Sequence, residues 1–444
     1  MTVLRKIWPA ALLASAALGP LLGAASRPAG DAAVGLGVGQ AVTEVAEPKE
    51  AFRRGTAAKE AADRIRWYTR AIELDPNMVE AFNNRGSAYF HSGKYDEAIR
   101  DYTQAIAMDP NRPQSYCNRG GAYLRKEDYD RAIHDCSKAI ELNPRLAQAY
   151  DNRALAYRKK GDSRQAIRDY TKAIEVAPRF ARAYECRGGC HYALGDYDQA
   201  IDDFSQALRL EPGRAVTYDF RGRAYYRKDD CERAVRDFTS AIERDPNLVE
   251  AYSNRGLAFT RKGDYGRAIQ DHTKAVQLGP TGRPEHLWRG WALFCNRAYA
   301  EAVGDFAHHT KVAPDDPYGH IALYLARSRA GKSGKEDLVK FRKLQKASGR
   351  RDDEWPTPVV RMYLGEITPN HCLAAAADTT PRRDKEKKAE AYYYIGLIYL
   401  VRGDRRTARM CFRWCLATKL RDLVEYSGAQ AELRWIDEQG VRTP

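Results

Sequence analysis

Arginine and aspartate recur together, sixteen residues apart, seven times: Arg85 and Asp101, Arg119 and Asp135, Arg153 and Asp169, Arg187 and Asp203, Arg221 and Asp237, Arg255 and Asp271, Arg289 and Asp305. Two chemistries fit such a set. A ladder of arginines can hold phosphates, or each guanidinium fork can hold its own carboxylate by two bonds while its stem packs on aromatic rings. The chain separates the two readings itself, because successive pairs stand 34 residues apart and the phase can be followed to hairpins that lack them. There the same places hold Ala51 and Trp67, Leu323 and Val339, or Ile395 and Cys411. Arginine and aspartate are kept or lost together. Phosphate binding would not need the aspartate, so these are read as structural ion pairs between helices.

Other reactive-looking residues lead to less. Ala326 to Ser333 ends in Gly331-Lys332-Ser333 and matches a permissive phosphate-binding loop, but such a loop works only between a strand and a helix. Here it ends a predicted helix. Cys186 with Cys190, and Cys411 with Cys415, are four apart, yet no second pair completes a zinc-site spacing, and the thiols read as small buried apolar groups. Nine cysteines is an odd number, so at least one thiol is unpaired. His308-His309 has no ligand partner at useful spacing. The expectation is no enzyme, no cofactor, no metal and no nucleotide.

The elements that carry these residues are set by the same period. Proline recurs every 34 residues at Pro76, Pro110, Pro144, Pro178, Pro212, Pro246, Pro280 and Pro314. With proline as position 32, position 8 is Gly86, Gly120, Ala154, Gly188, Gly222, Gly256 and Gly290, and position 20 is alanine from Ala98 to Ala302. Small residues at both places let two helices approach closely. An aromatic residue fills position 4 from Phe82 to Tyr252. This is the spacing of the tetratricopeptide repeat, a helix–turn–helix unit. The expected fold is all-α: an α-solenoid of stacked hairpins wound as a right-handed superhelix. Turns such as Lys262-Gly263-Asp264-Tyr265 supply a glycine to stop helix A and an aspartate to cap helix B.

Residues 1–25 read as a secretory signal, with Arg5 and Lys6 before an apolar run to Gly23 and small residues at Ala24-Ala25; a retained anchor is the competing reading. Residues 26–47 read as a flexible leader and 48–350 as the array, with eight proline-phased units and a degenerate ninth. A loop-rich connector is expected over 351–388, then a last hairpin and capping helix over 389–444.

Binding is expected on helix A, whose positions 2, 5, 9, 12 and 13 packing does not demand. These place Arg158, Lys159, Tyr192, Arg223, Tyr226, Arg227 and Arg261 as partner-contacting candidates, with both tyrosines exposed. Arginines beside aromatics suit an extended peptide or an acidic partner helix. Position 5 reads Asn83, Cys117, Asp151, Glu185, Asp219 and Ser253, with no lysine, which argues against capture of a free C-terminal carboxylate by a chaperone-type clamp. The formal charge of +14, from 73 basic and 59 acidic residues, leaves a rival reading: a binder of an anionic polymer, nucleic acid if the leader is retained.

The regular units resemble a bacterial tetratricopeptide subfamily with the core Asn-Arg-Gly, seen at Asn84-Arg85-Gly86, Asn118-Arg119-Gly120 and Asn254-Arg255-Gly256. The C-terminal quarter resembles NlpI-type envelope proteins through Trp355-Pro356, Tyr363-Leu364-Gly365, Glu390 to Gly396, Gly403-Asp404 and Glu425-Tyr426. That resemblance implies a periplasmic adaptor, peripheral to the outer membrane, which gathers envelope hydrolases or proteases. The chain departs from the group in having more repeats and no lipidation cysteine beside the leader.

Overall fold

The computed structural model describes residues 45–279, 284–421 and 423–441. Residues 1–25, and 26–44 of the expected leader, lie outside them. Every element among the described residues is a helix. Internal contacts divide the chain into two bodies, one ending at Pro212 and one beginning at Gly213.

The first body holds five hairpins: α1 (Pro48–Ala57) and α2 (Ala61–Leu74), α3 (Val79–His91) and α4 (Tyr95–Met108), α5 (Pro113–Arg125) and α6 (Tyr129–Leu142), α7 (Ala147–Lys159) and α8 (Ser163–Val176), α9 (Ala181–Leu194) and α10 (Tyr197–Leu210). The second body continues the motif with α11 (Ala215–Arg227) and α12 (Cys231–Arg244), α13 (Val249–Lys262) and α14 (Tyr265–Leu278), α15 (Glu285–Cys295) and α16 (Tyr299–Val312), α17 (Pro317–Arg329) and α18 (Lys335–Ala347). After these come the short helices α19 (Thr357–Leu364) and α20 (Pro369–Ala375), the long α21 (Pro381–Val401), then α22 (Arg405–Ala417) and α23 (Val424–Val441).

Each hairpin closes for the reason its small residues suggest. A Cβ added to Gly222 would stand 2.7 Å from the Phe238 ring, and one on Gly290 2.6 Å from Phe306. The aromatic at position 24 therefore fills the space that position 8 leaves, and Phe204, Phe238, Phe306 and Tyr170 are almost fully buried. Asp264 caps α14 by accepting from the Arg267 amide at 3.2 Å, after Gly263 turns the chain at φ 82°.

Two expectations are corrected. The stretch 351–388 is largely helical: α19 buries Val359, Val360, Met362 and Tyr363, while α20 is capped by Thr368, whose side chain accepts from the His371 amide. The last hairpin starts at Pro381 instead of 389, because the charged run is helical and internally paired, Arg382 with Glu386 at 3.0 Å and Lys388 with Asp384 at 2.8 Å. The end of the expected leader is also docked. Val45 is buried and its carbonyl accepts from Arg70 Nε at 3.0 Å.

In the second body the chain folds back on itself. Glu432 of α23 is buried and accepts from Arg297 Nη2 at 3.0 Å, while Arg434 donates to the Tyr265 hydroxyl at 3.0 Å. Guanidinium groups of Arg297, Arg329 and Arg405 gather around the Trp435 ring at 4.5, 5.6 and 5.3 Å. The capping helix thus packs against the A–B turns that follow α13 and α15.

Candidate partner-binding face

The seven arginine–aspartate pairs share one geometry. In each, Nε donates to Oδ2 at 2.7–2.9 Å and Nη2 to Oδ1 at 2.6–2.9 Å. The aspartate side chains are only 2–9% exposed and the arginines 16–22%. Six of the arginines lie over the position 4 ring at 5.5–5.8 Å. A third partner escaped the sequence reading: Nη1 donates to a hydroxyl of the preceding hairpin, at Thr69, Thr103, Ser137, Thr171 and Thr239. Position 25 is Thr or Ser in six of the seven regular units, Ala307 being the exception, so the sequence carries the signal. The arginine is therefore spent on two carboxylate bonds, an aromatic face and a neighbouring hairpin.

Position 5 is also spent. Asn83, Cys117, Asp151 and Glu185 in the first body, and Asp219 and Ser253 in the second, are buried. The asparagine of the Asn-Arg-Gly core reaches back to them: Asn118 Nδ2 donates to Asn83 Oδ1 at 3.2 Å, and Asn254 Nδ2 to Asp219 Oδ1 at 2.8 Å. Burial pushes the Asp219 carboxyl up to about 6, and pushes Asp151 up despite Arg182 at 3.1 Å.

The candidate residues separate on this ground. In the first body Lys159 is exposed and Arg158 half-buried at the end of α7, with Arg182 leaning over buried Asp151 from α9. Tyr192 was expected exposed and is not. It is 8% exposed and meets Tyr197 edge-on at 5.5 Å. In the second body Tyr226 is likewise 8% exposed, for a definite reason. Arg261, one hairpin later, lays its guanidinium 3.6 Å from the ring centroid and donates from Nη1 to the Tyr226 carbonyl at 2.9 Å. Arg223 is buried and Arg227 half-buried. The tyrosines are packing residues, Arg223 and Arg261 serve the stack, and the reachable charges are Arg158, Lys159, Arg182 and Arg227.

Three further features complete the chemistry. Lys332 stands in a turn after α17, with Gly331 at φ 73°, so no strand leads into the segment that resembled a phosphate loop. All nine cysteines are free and buried, and burial pushes Cys186 up to about 11 and Cys190 to about 12, which keeps them as unreactive thiols. Among the described residues no group of three or more His, Cys, Asp or Glu is placed to hold a metal, and no helix is long and apolar enough to cross a membrane.

The residues that carried the C-terminal resemblance form one buried network. Trp355 Nε1 donates to Glu390 Oε2 at 2.7 Å, the Tyr318 hydroxyl to the same oxygen at 2.8 Å, and the Tyr394 hydroxyl to Glu425 Oε1 at 2.9 Å. Burial, with Glu425 nearby, pushes Glu390 up to about 8, so this acid holds its proton far above the usual carboxylate range.

Stacked hairpins with this small-residue and ion-pair code define a helical-repeat protein whose side-chain lattice is built for stacking. Repeat-family models described as TPR or tetratricopeptide repeat match residues 67–100, 86–126, 113–146, 152–215 and 221–283. The chain is a tetratricopeptide-repeat protein. Among solved structures it is similar to MamA, at 30% identity over 36% of this chain and 94% of that one, TM-score 0.34. It is similar to YrrB, described as a TPR protein with an unusual peptide-binding site, at 22% identity over 41% and 95%, TM-score 0.36. A tetratricopeptide repeat protein from Parabacteroides merdae matches at 20% identity over 55% and 98%, TM-score 0.43.

Proposed function

We propose that this protein is a non-catalytic scaffold that binds partner proteins or extended peptides along its helix-A faces. One observation carries the proposal. Positions 4, 5, 6, 7, 8, 20, 23, 24 and 25 are consumed by packing, whereas the end of helix A changes from hairpin to hairpin and stays reachable at Arg158 and Lys159. A lattice repeated from hairpin to hairpin beneath a variable, partly exposed charged face is how a repeat array presents a binding surface. The narrower part of the proposal puts the scaffold in a bacterial cell envelope, exported by the leader at 1–25, with hydrolases or proteases as partners. Its support is the sequence pattern at the N-terminus and the C-terminal resemblance.

Affinity capture from an envelope extract tests both parts. The full chain should recover a defined set of envelope proteins. The variant Lys159→Glu should recover several-fold less of them while its thermal midpoint barely moves, since exposed substitutions change stability by about 0.5 kcal/mol or less. Equal recovery by both chains would contradict the assignment of the face.

A further inference from the structure

The last hairpin breaks the repeat's own rule on its outer side. At position 22 the regular units carry Arg100, His134, Arg168, Asp202, Arg236, Gln270 and Gly304, and at position 26 Gln104, Lys138, Lys172, Gln206, Ser240, Lys274 and His308. The corresponding residues of α22 are Met410 and Trp414, 45% and 44% exposed. They are four apart and so share one stripe of the helix, and Trp414 leans on Tyr392 of α21 with ring centroids 5.3 Å apart. Tyr392 is the position 4 ring that an arginine covers in the regular units. Here Ile395 replaces that arginine, so the ring is left for tryptophan. Val401, at the end of α21, is 49% exposed as well. The opposite stripe of α22, Ala408, Cys411, Phe412 and Cys415, is the one buried in the fold.

The charges carried by α22 itself are of one sign. From Arg405 to Ala417 there are four arginines and no acid. Arg409 is paired with Asp437, but Arg406 and Arg413 are exposed at one-turn spacings from Met410. A second copy of the same face would set these arginines against each other. A peptide held between two helices needs a groove, whereas this stripe is the crest of one helix. Tryptophan and thioether side chains flanked by guanidinium groups suit the headgroup layer of an anionic bilayer, where the ring sits at the interface and arginine holds lipid phosphate.

We propose that the outer face of α22, through Trp414, Met410, Arg406 and Arg413, docks on an anionic phospholipid surface. The inference is independent of what the helix-A faces bind.

Vesicle flotation with the full chain tests it, using phosphatidylcholine alone and phosphatidylcholine with one-third phosphatidylglycerol. The chain should float with the anionic vesicles and not with the neutral ones, and added salt should release it. Met410→Ser with Trp414→Ser, and separately Arg406→Glu with Arg413→Glu, should each lower binding about tenfold or more. Arg168→Glu with Arg236→Glu, at position 22 of regular units, should leave it nearly unchanged. No flotation with anionic vesicles would overturn the proposal. So would an equal loss in the Arg168/Arg236 control, which would mean diffuse attraction to a basic protein. A dimer in sedimentation that Trp414→Ser dissolves would instead make the stripe a contact between copies.

Discussion

Replacing Asp203 with alanine should destabilise the first body by about 3 kcal/mol, since it leaves the Arg187 guanidinium largely buried without its carboxylate. The two bonds of 2.9 and 2.7 Å are lost together, and Arg187 then keeps only the Thr171 hydroxyl at 3.0 Å and the Tyr184 ring. Arg187→Ala should cost a similar amount. The double variant should cost clearly less than the two singles summed, because each single already breaks the pair. Arg187→Lys keeps the charge but not the fork, and should recover only part of the loss. Urea unfolding of the four chains gives the coupling energy. A value indistinguishable from zero would mean that the pairs are incidental to the stack.

Glu390→Gln should stabilise the protein at alkaline pH and do little near pH 5. The carboxyl ordinarily titrates at 4.5 and is pushed up to about 8 in the folded state, so the native protein holds this proton more tightly than the unfolded chain. For a raised acid the linkage runs against high pH. Stability is intact below the ordinary value, falls as pH rises from there to about 8, and stays low above it. A displacement of this size corresponds to a few kcal/mol, enough to move a thermal midpoint by several degrees. Glutamine removes the titration yet keeps an oxygen that can accept from Trp355 Nε1 and the Tyr318 hydroxyl. Thermal midpoints measured from about pH 5 to pH 9 should therefore show the wild-type chain losing more stability than the variant, in which Glu425, also pushed up by burial, is the acid of the pair left to titrate. Parallel curves would show that Glu390 does not hold a proton in the folded protein.

How much of this was legible in the sequence follows from where each signal lives. The hairpins and the ion pairs repeat seven times at a fixed offset, so the chain supplied its own comparison: position 7 and position 23 vary together within a single sequence. The exposure of Tyr226 was misread because its cover is not on its own helix. Arg261 lies 35 residues later, and only stacking brings its guanidinium onto the ring. The connector was misread because it has no repeat phase. Its helices rest on local devices, the Thr368 cap, the prolines at the starts of α19, α20 and α21, and the pairs within 382–388, each modest alone. Glu390 and Glu425 were quoted only as part of a resemblance. What they do became visible once Tyr318, Trp355 and Tyr394, from three different helices or loops, were seen to donate to them. Position 25 carries its own signal, since Thr103 and Thr171 are the hydroxyls that Arg119 and Arg187 use.

If partners lie along the helix-A faces, as proposed, hydrogen–deuterium exchange of the full chain, alone and with a captured partner, will locate them there. Slower exchange is expected in helix-A segments, with α7 and its following turn at Lys159 foremost, while helix-B segments such as 163–176 and 231–244 stay as they were. Protection confined to helix B, or to residues 355–380, would contradict the proposal.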